Sequence, residues 1–183
     1  MRAILTTLLL ALSVSPTAAQ TDWSGLTVVV TGANRGIGLE FARQLSEAGA
    51  NVIGTARTPD EATELKALGV RVEQLDVTDP ASVAALAERL DGVAIDILIN
   101  NAGIFDRRDE TIDKVDFDVM AQTFAVNTMG PLRVTQALMP NLRAGERKVV
   151  IGMSSGLGSI EKSTGRWYAY RSSKTALNSV NKV

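Results

Sequence analysis

The sequence predicts an α/β protein whose core is one doubly wound parallel sheet with helices on both faces. Two observations support this. Apolar runs alternate with longer amphipathic stretches along the chain, as a parallel sheet with crossover helices requires. The apolar runs are also continuous in Val, Ile and Leu, which is typical of strands that helices cover on both faces.

Five of these runs are predicted strands, and amphipathic stretches between and after them are predicted helices. Asp79 and Pro80 begin one helix as its N-cap and first helical residue. Pro131 lies inside the longest helix and clashes with the carbonyl of residue 127, so we expect a local break at Asn127. The predicted strands are 26–30, 52–56, 70–75, 95–99 and 149–153, and the predicted helices are 37–48, 60–68, 80–90, about 115–142, and one from about 168 onward.

The composition excludes several classes of function. The chain has 183 residues, of which 45% are hydrophobic, so it is the size of one domain, expected at 24–183. Its net charge of −1 and its lack of a basic stripe argue against a nucleic-acid partner. It has no histidine and no cysteine, which excludes zinc sites, disulfides and nucleophile pairs that need His. No metal site is predicted.

Residues 1–19 have the pattern of a signal peptide. Arg2 precedes an apolar stretch too short to span a bilayer, and small residues follow it up to Ala19. Cleavage would give a periplasmic or secreted protein without a membrane span. The alternatives are an uncleaved anchor, or a mis-assigned start and a cytoplasmic protein.

The turn after the first predicted strand is glycine-rich. Gly32, Gly36 and Gly38 stand between a strand and a helix, where glycines let the backbone approach a diphosphate that faces the helix N-terminus. This pattern predicts a dinucleotide site. The alternative is an ordinary strand-to-helix turn.

Tyr170 and Lys174 are predicted to share one face of the last helix, because they are four residues apart. A free tyrosine has a pKa of about 10, so proton transfer at neutral pH needs a nearby positive charge. Without histidine in the chain, this pair is the best candidate for acid–base chemistry. The alternative is a surface pair on a helix.

These motifs, with Asn100-Asn101-Ala102-Gly103 after the fourth strand, resemble the short-chain dehydrogenase/reductase family in type and order. The stretches 153–160 and 168–174 are most similar to its branch of C-factor and sniffer-type carbonyl reductases. The resemblance covers about 26–183. It implies a Rossmann fold and an oxidoreductase that interconverts a carbonyl and an alcohol. Relatives continue with a further strand and a substrate cover, so we expect this chain to be truncated at its C-terminus.

The resemblance also implies which residues bind the cofactor. An acidic residue at the end of the second strand would favour NAD, but Ala56 stands there, followed by Arg57. With Arg35 in the glycine turn, this favours NADP over NAD, although each arginine alone could be a solvated surface residue. The implied cofactor-binding residues are Gly32, Asn34, Arg35, Gly36, Ile37, Gly38, Arg57, Asp76, Val77, Asn101, Ala102, Gly103, Tyr170 and Lys174.

Four residues are the implied catalytic set: Asn127, Ser155, Tyr170 and Lys174. In the family the serine bonds the substrate oxygen, and the asparagine positions a water that links the lysine to solvent. Ser155 lies 15 residues before Tyr170, slightly more than the family's commonest spacing, and Ser154 is the alternative.

The implied partners are a small carbonyl or alcohol substrate and further copies of the chain in a homodimer or homotetramer. The alternative function is a truncated dinucleotide-binding module without turnover.

Overall fold

A computed structural model describes residues 22–106 and 111–181. The predicted signal peptide at 1–19 lies outside these residues and stays a prediction. Within the described part, no helix combines the length and apolarity that crossing a bilayer requires. The same residues contain no group of three or more Asp or Glu side chains able to hold a metal ion.

Five parallel strands form one sheet: β1 Thr27–Val30, β2 Asn51–Ala56, β3 Arg71–Gln74, β4 Ile97–Asn100 and β5 Val149–Gly152. Their order in the sheet is β3-β2-β1-β4-β5, and every neighbouring pair is parallel. The strand order reverses between β1 and β4, which is the predicted doubly wound Rossmann fold.

Helices connect the strands and cover the sheet. The helices are α1 Gly36–Glu47, α2 Thr63–Ala67, α3 Pro80–Arg89, α4 Phe117–Phe124, α5 Gly130–Ala137, α6 Met139–Ala144 and α7 Tyr168–Val180. Two apolar clusters form the core: one includes Val28 and Ile99 and packs beneath α1 and α2, and the other includes Val29 and Leu98 and packs beneath α3 and α5. As predicted, the Asp79 side chain caps α3 by accepting a bond from the backbone of Ala81.

Two predicted helices differ in the structure. The helix expected at 60–68 is a 3₁₀ turn, Pro59–Glu61, followed by α2, because Ala62 leaves helical geometry with ψ of 55°. The helix expected at about 115–142 contains the predicted irregularity, a π-helical turn at Ala125–Met129. It also ends at Leu138, a second interruption that was not predicted, before α6 starts with Pro140 in its first turn.

The expectation that helices cover every strand on both faces is wrong for β5. Val149, Val150 and Ile151 are 39%, 43% and 38% exposed, although they belong to both faces of the strand. β5 pairs with β4 on one side only within the described residues, so it lies at an edge of the sheet. The apolar sequence of β5 therefore predicted a strand correctly, but it wrongly predicted that the strand is buried on both faces.

Candidate active site

A cleft of about 740 Å³ lies at the carboxyl ends of the strands. Open parallel sheets bind ligands in this place, beside the point where the strand order reverses. The lining comes from residues that follow β1, β2, β3, β4 and β5 and from the start of α7. The cleft therefore joins the predicted dinucleotide turn at one end to the predicted catalytic helix at the other.

The glycine turn has a geometry that only glycine accommodates easily. Gly32 and Gly36 have φ values of +64° and +57°, in the left-handed region that side chains rarely adopt. A Cβ on Gly38 would lie 2.3 Å from the carbonyl oxygen of Gly32 and 2.4 Å from Nδ2 of Asn101. The backbone at the start of α1 therefore packs tightly against the end of β1, as the dinucleotide pattern requires.

The N-terminus of α1 is open toward the cleft. Arg35 is its N-cap, yet no side chain caps the first amide groups, and no acidic residue lies in the first turn. Asn34, Arg35, Gly36 and Ile37 line the cleft, where Ile37 is 65% exposed. Uncapped amides and the positive end of a helix favour an anion, so this cradle fits the diphosphate of a dinucleotide.

Asn101 ties the end of β4 to the glycine turn. Its Nδ2 donates to the carbonyl oxygens of Thr31 and Gly32 at 3.0 and 3.1 Å. The backbone amides of Asn101 and Ala102 both donate to Oγ1 of Thr31 at 3.0 Å. The predicted run Asn101-Ala102-Gly103 thus holds two strand ends together at the centre of the cleft.

Arg35 and Arg57 line the cleft together with Asp76 and Val77. Neither arginine forms an ion pair with a carboxylate in the described part of the chain. Asp76 is fixed by Thr78, whose hydroxyl and amide donate to it at 2.6 and 2.8 Å. These bonds, with a smaller contribution from the charge of Arg57, lower the pKa of Asp76. The two guanidinium groups are therefore available to a phosphate.

Tyr170 and Lys174 line the far end of the cleft. The ammonium Nζ of Lys174 lies 5.7 Å from the centre of the Tyr170 ring, which confirms that the two side chains share a face of α7. Lys174 is only 5% exposed and donates to the carbonyl oxygen of Met153 at 2.6 Å. Burial of the ammonium group lowers the pKa of Lys174.

Asn127 lies in the π-helical turn and is fully buried. Its amide oxygen and nitrogen bond the backbone of Ile104, and its nitrogen also donates to Oγ of Ser173 at 3.1 Å. A Cβ built on Gly103 would lie 3.3 Å from Oδ1 of Asn127 and 3.6 Å from Nζ of Lys174. The side chains of Asn127 and Lys174 therefore both approach Gly103 at the wall of the cleft.

The two serines after β5 take different places. Ser154 lines the cleft, and its hydroxyl donates to Oδ1 of Asn178 at 2.5 Å. Ser155 is outside the cleft lining, and its Oγ accepts a bond from the amide of Leu157 in a 3₁₀ turn. The role predicted for Ser155 stays a prediction, and the geometry brings its alternative, Ser154, closer to the other candidates.

Phe105 is a cleft residue that the sequence reasoning missed. Its ring stacks on the ring of Tyr170, with centres 4.2 Å apart and planes at 24°. Its only signal in the sequence is its position two residues after the Asn100–Gly103 run. The contact between this segment and Tyr170 exists only in the folded chain.

The family model for short chain dehydrogenases matches residues 26–183 of this chain. The chain belongs to the short-chain dehydrogenase/reductase family. Among curated relatives, 1-hydroxy-2-glutathionyl-2-methyl-3-butene dehydrogenase of Rhodococcus sp. (strain AD45) is 37% identical over 158 residues, which are 84% of this chain and 67% of that enzyme.

Solved structures of short-chain dehydrogenases/reductases have the same fold. NADPH-bound carbonyl reductase from chicken fatty liver matches with a TM-score of 0.78 and 37% identity, over 86% of this chain and 68% of that one. Carbonyl reductase Sniffer of D. melanogaster matches with a TM-score of 0.77 and 29% identity, over 86% and 72%. These matches place this short-chain dehydrogenase/reductase near the carbonyl-reductase branch. The chain spans about half to two thirds of the length of the curated relatives that it matches.

Proposed function

We propose that the chain is an NADP(H)-dependent oxidoreductase that interconverts a carbonyl and an alcohol. The observation that supports this most is the continuity of the cleft. It extends from an open helix N-terminus and two arginines that have no ion-pair partner among the described residues to a tyrosine beside a buried lysine. A dinucleotide that lay along it would bring its reactive ring to the tyrosine end.

Tyr170 is the proposed proton donor. NADPH, when bound, supplies the hydride that reaches the carbonyl carbon. The hydroxyl of Tyr170 gives its proton to the carbonyl oxygen, and the ammonium of Lys174 beside it favours the phenolate that remains. In the alcohol-to-carbonyl direction the phenolate accepts the proton from the alcohol.

Lys174 and Asn127 are proposed to return the proton from solvent. Lys174 is buried, with one backbone acceptor, so two of its three donor positions remain for other partners. Asn127 lies close behind it and holds the π-helical turn against α7. A serine after β5, Ser155 or its alternative Ser154, is proposed to bond the substrate oxygen.

NADP is the proposed cofactor, in preference to NAD. Arg35 and Arg57 both line the cleft, and Ala56 leaves no carboxylate at the end of β2 to bind a ribose diol. The NADPH complex of the chicken carbonyl reductase supports the same preference.

A second candidate function is dinucleotide binding without turnover. It is favoured by the exposed apolar side chains of β5, because poor enclosure beside Met153 and Ser154 would admit water to the reacting atoms. Two measurements on the purified chain separate the candidates: NADPH binding by calorimetry, and NADPH oxidation at 340 nm with a panel of aldehydes and ketones. Binding with oxidation supports the enzyme. Binding without oxidation supports the second candidate, and no binding contradicts both.

We also propose that the chain forms a homodimer or homotetramer through the helices around α5 and α7. Met129 and Leu132 are each 45% exposed although they are large and apolar. Light scattering on the wild-type chain and on Leu132→Glu tests this: an assembly that Leu132→Glu dissociates is expected, and a monomeric wild type would contradict it.

A further inference from the structure

Phe105 covers one face of the proposed proton donor. Its ring lies 4.2 Å from that of Tyr170 in a stacked arrangement, and its other neighbour is Trp167, whose ring meets it at 89° with centres 5.8 Å apart. Phe105 is only partly buried, and it is one of the residues that line the cleft. It therefore adds an aromatic side chain to the cleft wall beside Tyr170.

The backbone on both sides of this cluster is held firmly. Asn127 bonds both the amide and the carbonyl of Ile104, so the chain just before Phe105 is fixed to the buried π-helical turn. Trp167 is the N-cap of α7, and its carbonyl oxygen accepts a bond from the amide of Arg171 at 2.9 Å. The cluster is thus held in place by a buried amide on one side and by the start of the catalytic helix on the other.

We propose that Phe105 is a specificity-determining residue that selects carbonyl compounds with a flat, apolar ring next to the carbonyl group. This inference rests on the proposed function, since it assigns the substrate class of the same site. Aromatic rings gain from stacking or edge-on contact with one another beyond the area that they bury. A substrate ring against Phe105 makes that contact while its carbonyl oxygen reaches the hydroxyl of Tyr170. A puckered ring of the same size buries a similar area but lacks the contact.

The test compares benzaldehyde with cyclohexanecarbaldehyde, which differ in the flatness of a six-carbon ring. The measured quantity is the ratio of their kcat/KM values, and each variant is compared with the wild type, so intrinsic reactivity cancels. We expect Phe105→Leu to lower this ratio about threefold to tenfold, and Phe105→Tyr to keep it. Phe117→Leu makes the same change at a residue that is 76% exposed and outside the cleft lining, and should leave the ratio unchanged. An equal ratio in wild type and Phe105→Leu overturns the inference.

A binding measurement separates this inference from the proposed function. Benzamide and cyclohexanecarboxamide cannot be turned over in this reaction, and their affinities for the NADPH-loaded chain are measured by ligand-observed NMR. If no aldehyde is reduced, the proposed function fails, but a benzamide preference that falls in Phe105→Leu and persists in Phe105→Tyr and Phe117→Leu still supports the role of Phe105. An unchanged preference in Phe105→Leu overturns it whether or not the chain is active. Thermal melting of each variant shows whether it is folded. If Phe105→Leu is not folded, the ratio and the benzamide preference are compared between Phe105→Tyr and the wild type.

Discussion

The side chain of Asn127 holds the backbone of Ile104 at both of its polar groups. Oδ1 accepts from the amide of Ile104 at 2.8 Å, and Nδ2 donates to its carbonyl at 2.9 Å. The same Nδ2 donates to Ser173, whose hydroxyl donates to the carbonyl of Tyr170 at 2.8 Å. One buried amide therefore joins the loop after β4 to the first turn of α7, on which the proposed chemistry depends.

Asn127→Ala removes these bonds and leaves the part-buried amide and carbonyl of Ile104 without the partner that they have in the wild type. We expect the free energy of unfolding to fall by about 2–4 kcal/mol, because each unsatisfied buried group costs about 1–3 kcal/mol. Urea denaturation measures this. The control is Asn51→Ala, an exposed asparagine with one bond of 3.2 Å to Gly25, where a loss below about 1 kcal/mol is expected. Equal losses in the two variants would show that Asn127 does not hold the site together.

Gly38→Ala tests the packing of α1 on the end of β1. Alanine favours a helix by up to about 1 kcal/mol over glycine, but here its Cβ would meet backbone and amide atoms at 2.3 and 2.4 Å. We expect the clash to dominate and to destabilise the fold by about 1–3 kcal/mol, with weaker NADPH binding. Gly156→Ala, where nothing lies within 4 Å of the new Cβ, should change the stability by less than about 0.5 kcal/mol. A Gly38→Ala chain as stable as the wild type contradicts the packing described.

Arg57→Asp tests the choice of cofactor. A bond between a guanidinium and a phosphate contributes about 1.5–3 kcal/mol, so the ratio of NADPH to NADH affinity should fall about tenfold to a hundredfold. Calorimetry with both cofactors measures the ratio. Arg143→Asp carries the same charge change on α6, outside the cleft lining, and should leave the ratio as it is. If Arg57→Asp and the wild type share one ratio, Arg57 does not select the cofactor.

Lys174→Met tests the cost of burying an ammonium. Because burial lowers the pKa of Lys174 in the folded chain, the unfolded chain binds more protons between that pKa and the ordinary value near 10.5. Wild-type stability should therefore rise with pH across this window. The stability of Lys174→Met relative to wild type should be greatest near pH 7 and should decline toward pH 10.

Urea denaturation at pH 7, 8.5 and 10 measures this difference between Lys174→Met and the wild type. Lys66→Met removes the same charge from an exposed ion pair with Asp60, and it measures the effect of net charge alone. This difference in stability is corrected for net charge with the Lys66→Met result. If the corrected difference stays constant with pH, it contradicts a lowered pKa for Lys174.

The sequence predicted most of the fold because its signals are local. Pro131 predicted the irregularity at Asn127, and the π-helical turn at Ala125–Met129 lies there. Asp79 with Pro80 predicted the start of α3, and the spacing of Tyr170 and Lys174 predicted their shared face. Each of these depends on a few neighbouring residues and on the geometry of one helix.

The remaining features depend on contacts between distant parts of the chain. Phe105 reaches Tyr170 only because the fold brings the loop after β4 against the start of α7, and no pattern around either residue indicates that contact. The carbonyl that receives the Lys174 bond belongs to Met153, at the end of another strand. The exposure of β5 was not predictable either, since the sequence of an edge strand can be as apolar as that of a central one.

The central claim is that the hydroxyl of Tyr170 transfers a proton during reduction. Its most direct test is the rate of NADPH oxidation by the wild type and by Tyr170→Phe with the same carbonyl substrate, with NADPH affinity measured in both. We predict turnover by the wild type and a loss of about a hundredfold to ten-thousandfold in Tyr170→Phe, at similar NADPH affinity. Turnover by Tyr170→Phe at the wild-type rate would contradict the account.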